Sequence, residues 1–308
     1  MRCLYSMWSD SPSAAPAADP AGLLWIDTDV ALGAHRGDVD DGYAIAAVLC
    51  AAAQRLVGIS TVSGNAPADV AARCARDLLC AAGVQKDVLQ GALRAGQTTS
   101  AAEAIAALPA GAQVLALGPL SNIAAALQID PGLAQRITLY AVGGNLSSHG
   151  RFPPLWPHEF NLALDPEAAA LVFAARMRRR IHPMDACGRL LVSGRDLLRM
   201  ADASPLGAFL VSQSLRWWLL SPLRLRALRF PLWDLAPALD ALGLLPAQVQ
   251  ILCRAVRGRG LLVPDRDAGP SEFVCHIDRP AALRAFESLL RRRSDVFSRK
   301  EPSPSGSR

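Results

Sequence analysis

Two kinds of apolar pattern alternate along the chain. "GLLWID" (22–27), "RLVGISTVSGN" (55–65), "AQVLALG" (112–118) and "RITLYAVGGN" (136–145) are short runs rich in branched residues and bounded by Gly or Asn. They predict strands. Between and after them, "VDDGYAIAAVLCAAA" (39–53), "APADVAARCARDLLCAAG" (66–83), "PLSNIAAALQ" (119–128) and "DPEAAALVFAAR" (165–176) repeat apolar residues at helical spacing. Pro67 and Pro119 sit near the starts of two of these, and Gly83 stops one. Beyond about residue 200 the order changes: "SPLGAFLVSQSLRWWLL" and "DLAPALDALGLL" look helical, and "VQILCRAV", "GRGLLVP" and "EFVCHID" form a late set of strands. Repeated strand–loop–helix units predict an α/β fold, a mostly parallel central sheet with helices on both faces. In such sheets the ligand crevice lies outside the carboxyl ends of the strands. The polar clusters fall there: Asp27 to Asp41, Ser63 to Asn65, Leu117 to Asn122 and Gly143 to Asn145.

With 308 residues and 51% hydrophobic content, the chain can bury a large core. There is no internal repeat and no long linker, so residues 21–295 read as one domain, preceded by a flexible leader (1–20) and followed by a disordered tail (296–308). No apolar stretch is long enough and free enough of charge to span a bilayer, and the leader has no signal-peptide core. Seven cysteines, scattered and without a CxxC pair, predict reduced core residues, no zinc site and a cytoplasmic location. The net charge of +5 is uneven, with clusters at Arg176, Arg178, Arg179 and Arg180 and at Arg291 to Lys300. Without interleaved aromatics these read as a solvated helix end and a tail rather than as a nucleic-acid surface.

One loop carries most of the chemistry. "LLWIDTDVALGAHRGDVDDGYAIAAVL" (23–49) places Asp27, Asp29, Asp38, Asp40 and Asp41 between a strand and a helix. That many carboxylates repel one another unless a cation intervenes. A hard divalent ion, a ring of basic residues such as Arg36, or plain exposure to water would each satisfy the segment. Oxygen donors without Cys or His favour Ca²⁺ or Mg²⁺ among metals.

Taken in order, "DTD" with "DVDDGYAIA", "GISTVSGN", "LALGPLSNIAAAL", "GG…EFNLALDPEAA" and "LWDLAPAL" resemble the motifs of the inosine–uridine-preferring nucleoside hydrolases: D-T-D-P-G-x-D-D, T-x-x-G-N, G-P-L-T-N, E-F-N-x-x-x-D-P-E-A and H-D-P-L-A. The resemblance covers roughly residues 22–290. It implies a Rossmann-like nucleoside hydrolase architecture, a bound Ca²⁺ and hydrolysis of the N-glycosidic bond of a nucleoside or related ribosyl compound. By the same resemblance Asp29, Asp41, the Leu117 carbonyl and Asp234 are metal ligands, and Asp29 is the base that accepts a proton from water. Asp40, Asn65, Glu159 and Asn161 fall where the family grips ribose hydroxyls. Homodimers or homotetramers are common among relatives. Asp27 reads as a support for the loop, and Asp165 as a helix cap. Trp217 and Trp218 read as core or interface residues.

The chain departs from the family pattern in three places. The loop between Asp29 and Asp40 is seven residues longer than usual, so "VALGAHRG" is expected to bulge outward. Trp233 stands where relatives have the His that helps the base leave; it has no labile proton, but its ring suits stacking on a purine. Pro153 replaces an expected Asn in the rebuilt "HGRFPPLWPHEFN", which also holds Trp156. A purine-leaning hydrolase is therefore the first expectation, and a metal- and ribose-binding homologue with impaired turnover is the alternative. A phosphatase reading of "DTDVA" fails for lack of the Thr and Lys that chemistry needs.

Overall fold

The computed structural model describes residues 22–34, 37–93, 96–146, 159–219 and 229–298. β1 (Leu24–Thr28) is buried along its whole length, as a strand covered on both faces must be. It pairs in parallel with β2 (Leu56–Thr61) on one side and β4 (Gln113–Ala116) on the other. β3 (Val88–Gln90), β5 (Thr138–Val142), β6 (Arg178–His182), β9 (Ala247–Arg257), β10 (Leu261–Pro264) and β11 (Pro270–Ile277) complete a sheet of order β10-β9-β11-β6-β5-β4-β1-β2-β3. The pairs are parallel except β11 with β9 and β9 with β10. β7 (Leu191–Ser193) and β8 (Arg229–Pro231) form a separate antiparallel ribbon. The mostly parallel α/β architecture is thus the one expected.

The helices on the two faces build two apolar clusters. On one face lie α1 (Asp40–Ala52), α2 (Ala68–Ala81), α8 (Met184–Cys187), α9 (Gly194–Ala203), α10 (Pro205–Leu219), α11 (Leu235–Ala241) and α12 (Arg279–Ser298). On the other lie α3 (Ser100–Ala106), α4 (Ser121–Ile129), α5 (Leu133–Arg136), α6 (Phe160–Leu164) and α7 (Pro166–Ala174). α1 is buried almost all round, which its near-continuous apolar sequence requires. α2 buries one stripe, Ala68, Ala71, Ala72, Ala75, Leu78 and Leu79, and ends at Gly83 with φ +62°, where the left-handed conformation favours glycine. Trp217 and Trp218 are buried on α10, edge-on to Phe230 at 5.2 and 5.8 Å, in the core role expected of them.

Two segments differ from the sequence reading. The basic run at 178–180 is not a solvated helix end but the interior strand β6, with Arg179 and Arg180 buried. Their guanidinium groups are taken up by carbonyls, a hydroxyl and carboxylates, which makes burial tolerable. The chain also ends in a long helix, α12, that reaches Ser298, three residues into the expected tail. Arg293 on α12 donates from Nη1 to the Leu49 carbonyl and from Nη2 to the Ala82 carbonyl, at the last turns of α1 and α2. Residues 1–20 and the remainder of the tail lie outside the described residues.

Candidate active site

The carboxyl ends of β1, β2 and β4 converge on Asp29. Asp27, inside β1, is held by Ser60 Oγ (2.6 Å) and Asn122 Nδ2 (2.8 Å), both donating to Oδ1. Asn122 also donates to the Thr61 carbonyl and accepts from Ala92 N, so this one amide ties three loops together and Asp27 is the support expected of it. Asp29 leaves the strand end fully buried; its Oδ2 accepts from Asn65 N at 2.7 Å, and its Oδ1 has no hydrogen-bond partner. Two glycines make room for it. A Cβ added at Gly64 would stand 1.8 Å from Asp29 Oδ2, and one at Gly118 would stand 3.1 Å from Asp29 Cγ. The S-G-N and L-G-P segments therefore need glycine for close backbone approach to a carboxylate.

Among the described residues, the long loop after Asp29 begins by turning inward, not outward. Val30, Ala31 and Leu32 are buried in the core, Ala34 N closes a turn onto the Ala31 carbonyl, and Gly37 and Gly42 pack against Ala31 and Leu32. Apolar residues 30–32 give the insertion a buried anchor. The chain is thereby returned to the strand end, where Asp40 and Asp41 open α1. Arg36 lies outside the described residues, as do Pro153, Trp156 and His158.

Asp234, the residue before α11, meets this pair from the far end of the sequence. Carboxylate oxygens of Asp40, Asp41 and Asp234 all lie within 4.8 Å of one another, and all three residues are buried. Asp234 N donates to Asp40 Oδ2 at 3.3 Å, and Thr28 Oγ1 donates to Asp41 Oδ1. Asp41 Oδ2 has no hydrogen-bond acceptor or donor of its own placed on it. Asp29 is outside the closest trio but within its field. Its charge, after burial, is the foremost influence raising the Asp41 carboxyl well above the ordinary range. Burial and then the charges of Asp40, Asp41 and Asp29 do the same to Asp234, and burial followed by Asp38 and Asp41 to Asp40. Burial, opposed by the Asn65 N–H and reinforced by Asp40, brings Asp29 up to about 7. Asp41 and Asp234 meet carboxyl to carboxyl, a contact that needs a positive charge, proton or metal, between them. Four buried carboxylates, with oxygens on Asp29 and Asp41 left over, fit a hard oxygen-seeking cation.

The Leu117 carbonyl lies at the end of β4 and accepts from Asn161 Nδ2 at 2.9 Å, which leaves its second lone pair. Glu159 is the N-cap of α6, accepting from Asn161 N and Leu162 N, both at 2.9 Å. Burial raises its carboxyl, against these N–H donors. Asn161 therefore combines a local hydrogen-bonding role with a place beside Leu117, and Glu159 holds the turn that presents it. Asp165 caps α7 and accepts from Ser121 Oγ, as expected. Trp233 is half-buried beside Asp234, with its indole nitrogen 3.5 Å from where a Cβ on Gly188 would lie. The sequence reading assigned no role to Thr28, Asn122, Gly64 or Gly118. All four stand inside the quoted motifs, Asn122, Gly64 and Gly118 as polar or turn residues and Thr28 as the residue between two aspartates.

The chain matches, over residues 24–245, the model of a family described as "Inosine-uridine preferring nucleoside hydrolase". It is 34% identical over 99 residues to the non-specific ribonucleoside hydrolase RihC of Salmonella typhimurium, a match that covers 32% of this chain and 32% of that protein. The chain thus spans about a third of the length of the curated relatives it matches. Among solved structures, a purine-preferring ribonucleoside hydrolase from Gardnerella vaginalis superposes with a TM-score of 0.73 at 20% identity, covering 89% of this chain and 99% of that one. A plant nucleoside hydrolase, PpNRh1, superposes with a TM-score of 0.70 at 21% identity over 87% and 98%. These likenesses carry the fold.

Proposed function

The chain belongs to the inosine-uridine preferring nucleoside hydrolase family, and from that premise we propose that it hydrolyses the N-glycosidic bond of a ribonucleoside to free base and ribose, with a calcium ion at the acidic centre. The observation that carries this reading is the buried set of Asp29, Asp40, Asp41 and Asp234 with two unclaimed oxygens. Asp29, Asp41, Asp234 and the Leu117 carbonyl would hold the ion, and Asp40 either shares in that shell or grips a ribose hydroxyl. When bound, the ion supplies electrostatic activation of water.

The chain's own residues do the rest. Asp29, one oxygen of which has no hydrogen-bond partner, accepts the proton of the attacking water; the water oxygen bonds to C1′ as the C1′–N bond breaks, and the base leaves with the electron pair and takes its proton from solvent. Buried carboxylates stabilise the positive charge that builds on the sugar. Asn65, Glu159 and Asn161 orient the ribose hydroxyls. Trp233 has no proton to give the departing base; it stacks on it, which favours a purine. The scattered cysteines, free wherever described, support a cytoplasmic location, and among the described residues no helix is long and apolar enough to cross a membrane. A homodimer or homotetramer is part of the same reading.

Trp233 also favours a second reading, a protein that binds metal and ribose without turnover. Incubation with a panel of purine and pyrimidine nucleosides and Ca²⁺, read as free ribose, separates the two. Release that falls about 10²–10⁴-fold in Asp29→Ala supports the enzyme; ribose binding without release supports the binding protein.

A further inference from the structure

We propose that the opposite end of the sheet carries a second site, for a phosphate-bearing small molecule. A cavity of about 840 Å³ runs across the amino ends of β4, β5, β6 and β11, where Gln113, Thr138, Arg178 and Ser271 line it. These strands are parallel, so the cavity and Asp29 face opposite sides of the fold. Its size falls within the roughly 300–1,000 Å³ typical of small-molecule pockets.

Its walls are basic. Arg176, Arg178, Arg179 and Arg180 all line it, against Asp267 and Glu272. Arg180 is already matched, to Asp240 at 2.8 Å and Glu272 at 2.5 Å. Among the described residues, none of the other three has a carboxylate at ion-pair distance. Arg176 and Arg178 are exposed at the rim.

Arg179 is the unusual member. It is only 4% exposed, yet its acceptors are all neutral: Ser271 Oγ at 2.6 Å, the Val172 and Ala175 carbonyls at 2.7 and 2.9 Å, and Gly269 O at 3.5 Å. The two helix carbonyls explain one edge of the group as a cap for the end of α7. They leave a second Nη2 N–H over, beside Gly269, which lines the cavity. The centroid of the Phe173 ring lies 5.3 Å from its Cζ, but among the described residues no carboxylate pairs with it, so an anion placed there supplies the counter-charge that this buried group otherwise goes without. Planar guanidinium forks suit the oxygens of a phosphate, and Tyr140, Met177 and Ile251 offer apolar wall to the carbon body of an ester. The site is separate from the acidic centre and does not depend on the proposed hydrolysis.

The test is calorimetric titration of the full-length, metal-free protein with inorganic phosphate at low salt. Saturable binding that weakens with added NaCl, and that falls at least tenfold in the double variant Arg176→Ser/Arg178→Ser with its melting temperature unchanged, supports the site. Arg73→Ser, in an exposed pair on α2, should leave it intact. The proposal is overturned if phosphate shows no saturable binding, if the double variant binds as well as the parent, if acetate binds as tightly as phosphate, or if ribose displaces the phosphate, which would put it at the acidic centre.

Discussion

Asp234 and Asp240 stand six residues apart at the two ends of α11, and their surroundings act on them in opposite senses. Asp234 meets Asp40 and Asp41 with no basic group among its influences, and its carboxyl is pushed up. Asp240 is nearly as buried, but it accepts from Arg180 Nη1 at 2.8 Å and bonds His182 Nε2 at 2.9 Å. Burial still disfavours its charge; the His182 bond and charge and the Arg180 charge outweigh that and hold the carboxyl below its ordinary value. One end of the helix carries an acidic group matched by basic partners. The other carries one that meets only further carboxylates. The difference separates an acidic group matched inside the fold from one that faces only others of its kind, and neither burial nor residue type alone would reveal it.

The contrast can be broken from either side. Asp240→Ala should cost about 3–5 kcal/mol of folding stability, because it strips Arg180 and His182 of a buried partner; denaturant unfolding reads this directly. Asp41→Asn should do the reverse in metal-free protein, raising the melting temperature by removing one repelling charge. It should also erase the stabilisation by Ca²⁺, about 2.7 kcal/mol in the parent at a hundredfold excess over Kd. A third effect is that of pH. Asp27, raised by burial against its Ser60 and Asn122 bonds, and Asp29 both titrate near 7 when folded, against an unfolded value near 4. Between those values only the folded state holds the protons, so metal-free stability falls as pH rises through the window, by up to about 1.4 kcal/mol per group for each pH unit. Asp240 has the opposite sign: its contribution is present above the ordinary carboxylate range and is lost as pH falls through its lowered value. Melting curves of metal-free protein at pH 5, 6 and 7 check the first trend, and Asp240→Asn at low pH the second.

The parallel core was legible because buried strands such as β1 and β4 read as short apolar runs, and α1, α2, α4 and α7 carry helical spacing with Pro and Gly at their ends. β6 was not, because "RRRIH" has the composition of a surface; only partners distant in sequence, Ser271, Asp240 and Glu272, make it an interior strand. α12 was hidden the same way, its charged end masking the buried Leu283, Phe286, Leu289 and Leu290. In the site, the gathering of Asp40, Asp41 and Asp234 follows from motif order along a parallel sheet. The inward course of residues 30–34 does not: whether an inserted loop bulges or tucks depends on the room that Gly42, lacking a Cβ, leaves for Leu32, which no local pattern displays.

Arg293 closes the fold across most of its sequence. Its two carbonyl acceptors, Leu49 and Ala82, belong to the ends of α1 and α2, helices translated more than two hundred residues before it. A single side chain on the last helix therefore pins the far ends of two early ones, one of them the helix that presents Asp40 and Asp41.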